Sequence, residues 1–205
     1  MRLVVDGLTR SYGARRIFGP LSFEVRGGTV LGVSGSNGSG KTTLLKTLSG
    51  LIRPSAGSTK ILLEGEEGAG SGPRDVPWCI GWVAPDLALY GELTAEENLD
   101  FFERVRGRAS SRAKDLLAGV GLPESSYSKK SLSSLSTGQR QRVKLAYATL
   151  HDPAVLFLDE PSSNLDADGV EVVARVVASQ RSRGIAIIAS NDPRDLALAD
   201  ETLSL

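Results

Sequence analysis

Short, almost entirely apolar segments alternate with helical patterns in the second half of the chain. Ala154–Leu158 and Ile185–Ala189 have the composition of buried strands, and Gly169–Arg183 between them has helical spacing. Thr29–Val33, in the first third of the chain, is similarly apolar. Strands that are apolar on both faces are typical of a parallel sheet that helices cover on both sides. The sequence therefore predicts an α/β fold built around a parallel sheet.

Other regions predict additions to this sheet. The first third of the chain reads as short strands separated by turns, and the pair Gly27-Gly28 before Thr29–Val33 is a hairpin signal. After Thr94 the apolar spacing becomes helical, and Glu97 three residues later completes a capping-box pattern. A length of 205 residues leaves room for one domain and one modest insertion. We expect that insertion, a helical subdomain, at about residues 86–150.

Composition argues against several classes of function. Lys+Arg and Asp+Glu number 24 each, and this balance disfavours nucleic acid as the main partner. Cys79 is the only cysteine and His151 the only histidine, which excludes an internal disulfide, a Cys/His metal cluster and a Ser-His-Asp triad. The longest apolar run is five residues, whereas a membrane span needs roughly 20. We therefore expect a chain that neither crosses a membrane nor is exported.

A glycine-rich segment between an apolar strand and a helix start matches the pattern G-x-x-x-x-G-K-[ST]. Its glycines allow backbone N–H groups to surround phosphate oxygens, and the helix N-terminus favours negative charge. We expect Lys41 to contact the β- and γ-phosphates and the Thr42 hydroxyl to ligate Mg²⁺. The predicted nucleoside triphosphate site comprises Gly35, Ser36, Asn37, Gly38, Ser39, Gly40, Lys41, Thr42 and Thr43.

Two carboxylates, Asp159 and Glu160, follow the apolar segment Ala154–Leu158. Ligands of parallel sheets bind at the carboxyl ends of the strands, so both side chains should face the same phosphates. We expect Asp159 to hold Mg²⁺ through water and Glu160 to orient or activate the attacking water. The alternative is a strand that ends in two solvent-facing acids.

A third motif lies between the other two. The letters LSTGQ at residues 135–139 open a predicted helix, and LDEPSSNLD follows at residues 158–166. This order of motifs resembles the ATP-binding cassette (ABC) ATPases, whose signature reads LSGGQ, over roughly residues 2 to 205. The resemblance implies a P-loop NTPase core of the RecA-like type with a parallel sheet, an N-terminal antiparallel β subdomain and a helical insertion. Residues 1–205 would then form a single ABC ATP-binding domain, with its core at residues 1–85 and 151–205.

The resemblance also implies partners and a reaction. In this family Ser136, Gly138 and Gln139 would close on the γ-phosphate held by a second copy of the chain or a similar cassette, giving a head-to-tail dimer around ATP and Mg²⁺. Tyr12 lies where the family stacks an aromatic ring on adenine. The implied protein is the ATPase subunit of an ABC transporter, peripheral on the cytoplasmic face of a membrane, which drives transport by separate integral membrane subunits.

The sequence departs from the family pattern at two positions. Pro85 stands where the family has a glutamine, with Asp86 beside it as a possible substitute, and Asn191 stands where the family has a histidine. An asparagine amide can hydrogen-bond a γ-phosphate but cannot exchange a proton near neutral pH. His151 precedes the acidic strand and is expected to be a loop residue. We therefore predict retained ATP binding with slow or partner-dependent hydrolysis, in which Glu160 and Asn191 are the catalytic candidates.

Two other functions stay open at this point. One is a soluble ABC ATPase outside transport, and the other is a slow or non-hydrolysing ATP-dependent assembly or regulatory module. Trp82, Leu87, Leu89 and Tyr90 flank the region where the family receives its membrane partner, although core packing would explain them equally well. The segment GSNGSGKTTLLKTLSGLIRP is similar to the ATPase of the cytochrome c maturation haem exporter.

Overall fold

The computed structural model describes residues 1–63, 70–107 and 112–205, which form two sheets with helices between and around them. The strands are β1 (Arg2–Tyr12), β2 (Arg15–Arg26), β3 (Val30–Ser34), β4 (Ala56–Leu62), β5 (Ile80–Val83), β6 (Val155–Asp159), β7 (Ile185–Ala189) and β8 (Glu201–Ser204). The helices are α1 (Lys41–Leu48), α2 (Ala95–Val105), α3 (Ala113–Gly119), α4 (Glu124–Tyr127), α5 (Thr137–Thr149), α6 (Ala167–Arg181) and α7 (Pro193–Leu196).

The larger sheet has five strands in the order β5-β6-β7-β3-β8, and its strand pairs are parallel. Every residue of β6 and β7 is buried, because helices cover one face of the sheet and α1 together with the smaller sheet covers the other. This arrangement confirms the α/β fold predicted from the apolar strands. It also brings the carboxyl ends of β3, β6 and β7 together at one edge.

The smaller sheet is antiparallel, with the order β2-β1-β4, and confirms the predicted N-terminal β subdomain. The expected hairpin at Gly27-Gly28 is wrong. The Gly27 N–H donates to Met1 O at 3.0 Å and the Gly28 N–H to Gly184 O at 2.8 Å, so this turn carries the chain from one sheet into the other. The observed hairpin joins β1 to β2 through a two-residue turn in which Gly13 has a φ of +57°.

The helices of the insertion begin at the predicted capping box. The Thr94 side chain accepts from the Glu97 N–H at 3.1 Å, and the Glu97 carboxylate accepts from the Thr94 N–H at 2.8 Å. Apolar side chains of α2, α3 and α5 share one buried cluster with α6 and one face of the parallel sheet, whereas the opposite face packs on α1 and the antiparallel sheet. The division at residues 86–150 stays a prediction.

No helix within the three described stretches combines the length and the apolarity needed to cross a membrane.

Candidate nucleotide-binding site

The phosphate loop (residues 35–42) connects β3 to α1 at the carboxyl edge of the parallel sheet. It borders a cavity of about 310 Å³ that is lined by Arg15, Ile17, Asn37, Gly38, Gly40, Lys41, Thr42, Thr43 and Glu160. Gly40 has a φ of +108°, and a Cβ placed on it would lie 2.7 Å from Ile17 Cγ2. Glycine is therefore required here for both backbone conformation and space.

Lys41 is buried at the base of this loop and has three hydrogen-bond acceptors within reach. Its Nζ donates to Gly35 O at 2.8 Å, to Ser36 O at 3.3 Å and to Asn191 Oδ1 at 2.9 Å. A lysine ammonium has three N–H donors, so these contacts use all of them. The loop is further closed by the Ser39 N–H, which donates to Ser36 O at 3.1 Å.

Thr42 and Asp159 form the candidate metal site. The Thr42 hydroxyl donates to Asp159 Oδ2 at 2.7 Å, while Asp159 Oδ1 is buried and has no hydrogen-bond partner among the described residues. Burial raises the pKa of the Asp159 carboxyl above its ordinary value, and the hydrogen bond from Thr42 opposes this shift. Mg²⁺ prefers oxygen ligands. The buried Asp159 Oδ1 and the neighbouring Thr42 hydroxyl are ligands of this kind. When bound, Mg²⁺ would neutralise charge that develops on the β- and γ-phosphates.

Glu160 reaches the cavity through an unusual backbone conformation. Its φ is +47°, a region that costs a non-glycine residue of order 1–3 kcal/mol and is common at functional sites. The Glu160 N–H donates to Ala189 O at 2.8 Å, which anchors the turn to the end of β7. Its carboxylate accepts a hydrogen bond from the Ser190 hydroxyl at 3.0 Å.

Asn191 joins the end of β7 to the phosphate loop. Its Oδ1 accepts from Lys41 Nζ at 2.9 Å, and its Nδ2 donates to Asn37 Oδ1 at 2.5 Å. The structure therefore brings Asn191, Lys41 and Glu160 to one site from three distant parts of the chain. Sequence reasoning missed Arg15, which no spacing pattern distinguishes from a surface residue, and it assigned no role to Ser190, although Ser190 directly precedes Asn191 in the family pattern.

The signature residues lie at the start of α5 and line a different cavity. Ser136 caps the helix: its hydroxyl accepts from the Gln139 N–H at 3.2 Å, and the Gln139 side chain accepts from the Ser136 N–H at 3.0 Å. A Cβ placed on Gly138 would lie 3.2 Å from Asn164 O. These residues border a cavity of about 500 Å³ together with Asn164 and Asp166. They are not among the residues that line the cavity around Lys41.

Tyr12 is half exposed, with 50% of its surface accessible. The Arg10 guanidinium carbon lies 4.2 Å from the centroid of its ring, a cation–π distance. Tyr12 is not among the lining residues of the cavity around Lys41. Its stacking on adenine stays a prediction.

The positions that depart from the family pattern lie beside α5 and α1. The carbonyls of Ala84 and Pro85 accept from Lys144 Nζ at 3.2 and 2.8 Å. Asp86 forms an ion pair with Lys46 at 2.5 Å, and this contact does not test whether its carboxylate replaces the glutamine side chain. That role stays a prediction. His151 is buried in the turn before β6, where its Nε2 lies 2.9 Å from Ile80 O.

Comparison with known proteins gives matches across the chain. The sequence profile of the ABC transporter family matches residues 18–163. The Fe(3+) ions import ATP-binding protein FbpC 2 of Rhodococcus jostii is 36% identical over 207 residues, which cover 97% of this chain and 58% of that protein. The lantibiotic transport ATP-binding protein SrtF of Streptococcus pyogenes is 32% identical over 189 residues, which cover 92% of this chain and 79% of that protein.

A solved structure shares the whole fold. It is a putative ABC transporter ATP-binding protein from Pyrococcus furiosus, with a TM-score of 0.84, 25% identity, and coverage of 100% of this chain and 98% of that chain. The profile match includes the phosphate loop, the signature and both acidic residues. The chain therefore belongs to the ABC transporter family, as one of its ATP-binding cassettes.

Proposed function

We propose that this chain binds ATP with Mg²⁺ and hydrolyses it to drive transport by separate membrane subunits. The observation that carries the proposal is the convergence of Lys41, Asp159 and Glu160 on one edge of the parallel sheet. A cation for the phosphates, a metal-binding carboxylate and a carboxylate near the attacking water are the groups that phosphoryl transfer to water requires.

Each side chain has a defined part in this reaction. Lys41 leaves its carbonyl partners in the loop for the β- and γ-phosphate oxygens, which carry more negative charge. Glu160 accepts a proton from water as the water oxygen attacks the γ-phosphorus and the bond to the bridging oxygen of ADP breaks. Asn191, already bonded to Lys41, donates its amide N–H to the γ-phosphate without taking up a proton.

Hydrolysis is expected to be slow or dependent on a partner. Pro85 has no side-chain oxygen to offer to a metal or to water, and its carbonyl accepts from Lys144. Asn191 cannot replace the proton exchange of an imidazole. These two positions also favour the second candidate function, an assembly or regulatory module that binds ATP with little turnover.

A head-to-tail dimer with a second copy or a similar cassette would complete the site. Ser136 and Gly138 lie at the N-terminus of a 13-residue helix, where backbone N–H groups and the helix dipole favour an anion. Within one chain they border a cavity other than the one around Lys41. The γ-phosphate held by a partner protomer is the anion that we assign to them.

The membrane subunit would dock on a groove in the helical region. This groove, of about 360 Å³, is lined by Leu87, Leu89, Leu132 and five other residues. Tyr90 and Phe101 beside it are 51% and 39% exposed, and their rings contact edge to face at 5.1 Å. Trp82 instead packs toward Phe157 at 6.3 Å, so core packing accounts for it. Docking there would hold the cassette on the cytoplasmic face of a membrane.

In this proposal the membrane subunit, and not this chain, selects the substrate that is transported. FbpC 2 is named for import of Fe(3+) ions and SrtF for transport of a lantibiotic, although the two resemble this chain to a similar extent. The likeness to the haem exporter stays a prediction. Identification of the integral membrane protein that co-purifies with this chain would assign the cargo.

Single-turnover hydrolysis of radiolabelled ATP tests the activity. The Glu160→Gln variant should bind ATP with unchanged affinity and lose hydrolysis by at least about a hundredfold. Glu171→Gln, an exposed glutamate on α6, is the control and should match the wild type. Absence of turnover in the wild type, even with its membrane subunit, would favour the assembly module instead.

A further inference from the structure

A buried group of two hydroxyls and one carboxylate lies directly behind Glu160. It consists of Ser162 after β6, Ser190 after β7 and Asp195 on α7. Ser190 is 0% exposed and Asp195 is 1% exposed. Neither residue lines the cavity around Lys41, so the group is separate from the surface that receives the nucleotide.

The Ser190 hydroxyl is the centre of this group. Its Oγ lies 3.0 Å from Glu160 Oε2 and 2.8 Å from Asp195 Oδ2, and it accepts from the Asp192 N–H at 3.0 Å. Ser162 donates a hydrogen bond to the other oxygen of Asp195. A hydroxyl has one proton and two lone pairs, so Ser190 accepts from the Asp192 N–H and donates its single proton to only one of the two carboxylates, Glu160 or Asp195, at a time.

The location of Asp195 is itself fixed by local structure. The Asp192 side chain caps α7 by accepting from the Arg194 N–H at 2.9 Å. Asp195 then faces inward, where its carboxylate meets both serine hydroxyls. Because water has no access to Ser190, solvent does not compete for its hydrogen bond to Glu160.

A glutamate side chain has several rotatable bonds, and a general base is effective only when its oxygen lies within hydrogen-bond reach of the water. Glu160 is partly exposed to the cavity, so its free oxygen can sample several orientations unless the other oxygen is held. Among the described residues, the Ser190 hydroxyl is the side-chain donor found on this carboxylate.

We propose that Ser190 is a positioning residue for ATP hydrolysis, whose hydroxyl, held by the Asp192 N–H, donates to the Glu160 carboxylate and orients it toward the attacking water. This inference rests on the role assigned to Glu160 above. It gives Asp195 an indirect part, because its carboxylate competes with Glu160 for the Ser190 proton.

The test compares Ser190 with Ser162, two buried serines that both contact the Asp195 carboxylate. Ser190→Ala should lower the single-turnover rate of ATP hydrolysis by about tenfold, the effect of one lost hydrogen bond to a charged group, with ATP affinity unchanged. Ser190→Thr retains the hydroxyl and should recover most of the rate. The matched control Ser162→Ala removes a hydrogen bond from Asp195 without touching Glu160, and should stay within about twofold of the wild type. Equal rates in the two alanine variants would overturn the proposal.

A second variant removes Asp195 as an acceptor for the Ser190 proton. Asp195→Asn can still accept from Ser162, but its amide N–H donates to Ser190 Oγ, so the Ser190 proton is left for Glu160 and the rate should equal or exceed that of the wild type. A tenfold loss in this variant would overturn the role given to Asp195. If Glu160→Gln is inactive while Ser190→Ala is not impaired, this inference alone fails. If Glu160→Gln hydrolyses ATP normally, the proposed function fails and the inference with it.

Discussion

Asn98 on α2 should be among the polar side chains that contribute most to stability. It is 0% exposed, and its Nδ2 donates to the carbonyls of Tyr90 and Thr94 at 2.9 Å each. Its Oδ1 accepts from the Tyr90 N–H at 2.8 Å. The Asn98→Ala substitution removes all three bonds and leaves the Tyr90 N–H without its side-chain acceptor, whereas Tyr90 O keeps the bond from the Leu93 N–H at 3.3 Å.

The expected loss follows from these three contacts. A typical intramolecular hydrogen bond contributes about 1 kcal/mol net, and a buried group left without a partner costs about 1–3 kcal/mol. Asn98→Ala should therefore lower the free energy of unfolding by about 3 kcal/mol, within the range of large single-residue effects. For a chain of this size that corresponds to a fall in Tm of about 6–12 °C.

Urea unfolding followed by tryptophan fluorescence measures this change. Thr149→Val is the control: among the residues that the structure describes, its buried hydroxyl bonds to the carbonyls of Leu145 and Ala146 in its own helix, so the loss should stay below about 1 kcal/mol. ATP affinity should be unchanged in both variants, because neither side chain contacts the phosphate loop. A loss below about 1 kcal/mol for Asn98→Ala would refute the assignment of three effective hydrogen bonds.

Three further predictions concern the site and its surroundings. Asn191→His supplies a group that can exchange a proton, and the single-turnover rate should rise several-fold; an unchanged rate would show that this position does not limit hydrolysis. Asp159→Asn keeps an acceptor for the Thr42 hydroxyl but loses the charge, so ATP affinity should become the same in EDTA and in Mg²⁺, and a persistent difference would contradict the metal site. The hydrogen bond from the Gly169 N–H lowers the pKa of Asp166 below its ordinary value of 3.8, so its contribution to stability is present at neutral pH and is lost as the pH falls below that value. Acid unfolding of Asp166→Asn should therefore be less steep than that of the wild type, and identical curves would be evidence against this contribution.

Local sequence was sufficient for the parts of the site that short segments form by themselves. The phosphate loop needs glycines at fixed spacing before Lys41, and Ser136 with Gln139 forms a capping box across four residues. The hairpin expected at Gly27-Gly28 failed for a related reason. A turn signal describes the local backbone, but it does not state which sheet the next strand enters.

Contacts between distant segments could not be read from the sequence. Lys41 and Asn191 are 150 positions apart, and Glu160 and Ser190 are 30 apart. Asn191 was expected near the γ-phosphate from its place in the family pattern, but its bonds to Lys41 and Asn37 required coordinates. Ser190 stands where the family pattern has a threonine before the position of Asn191, but that place in the pattern assigns it no contact with Glu160.

The sequence by itself determined the phosphate loop, the two acidic residues after β6 and the family to which the chain belongs, because short motifs and alternating apolar strands encode these features locally. Only the tertiary structure decided that Ser190 and Asp195 lie behind Glu160 and that Asn191 reaches Lys41. The physical reason is the parallel sheet: it places β3, β6 and β7 side by side, so that residues far apart in the chain meet at the carboxyl ends of neighbouring strands.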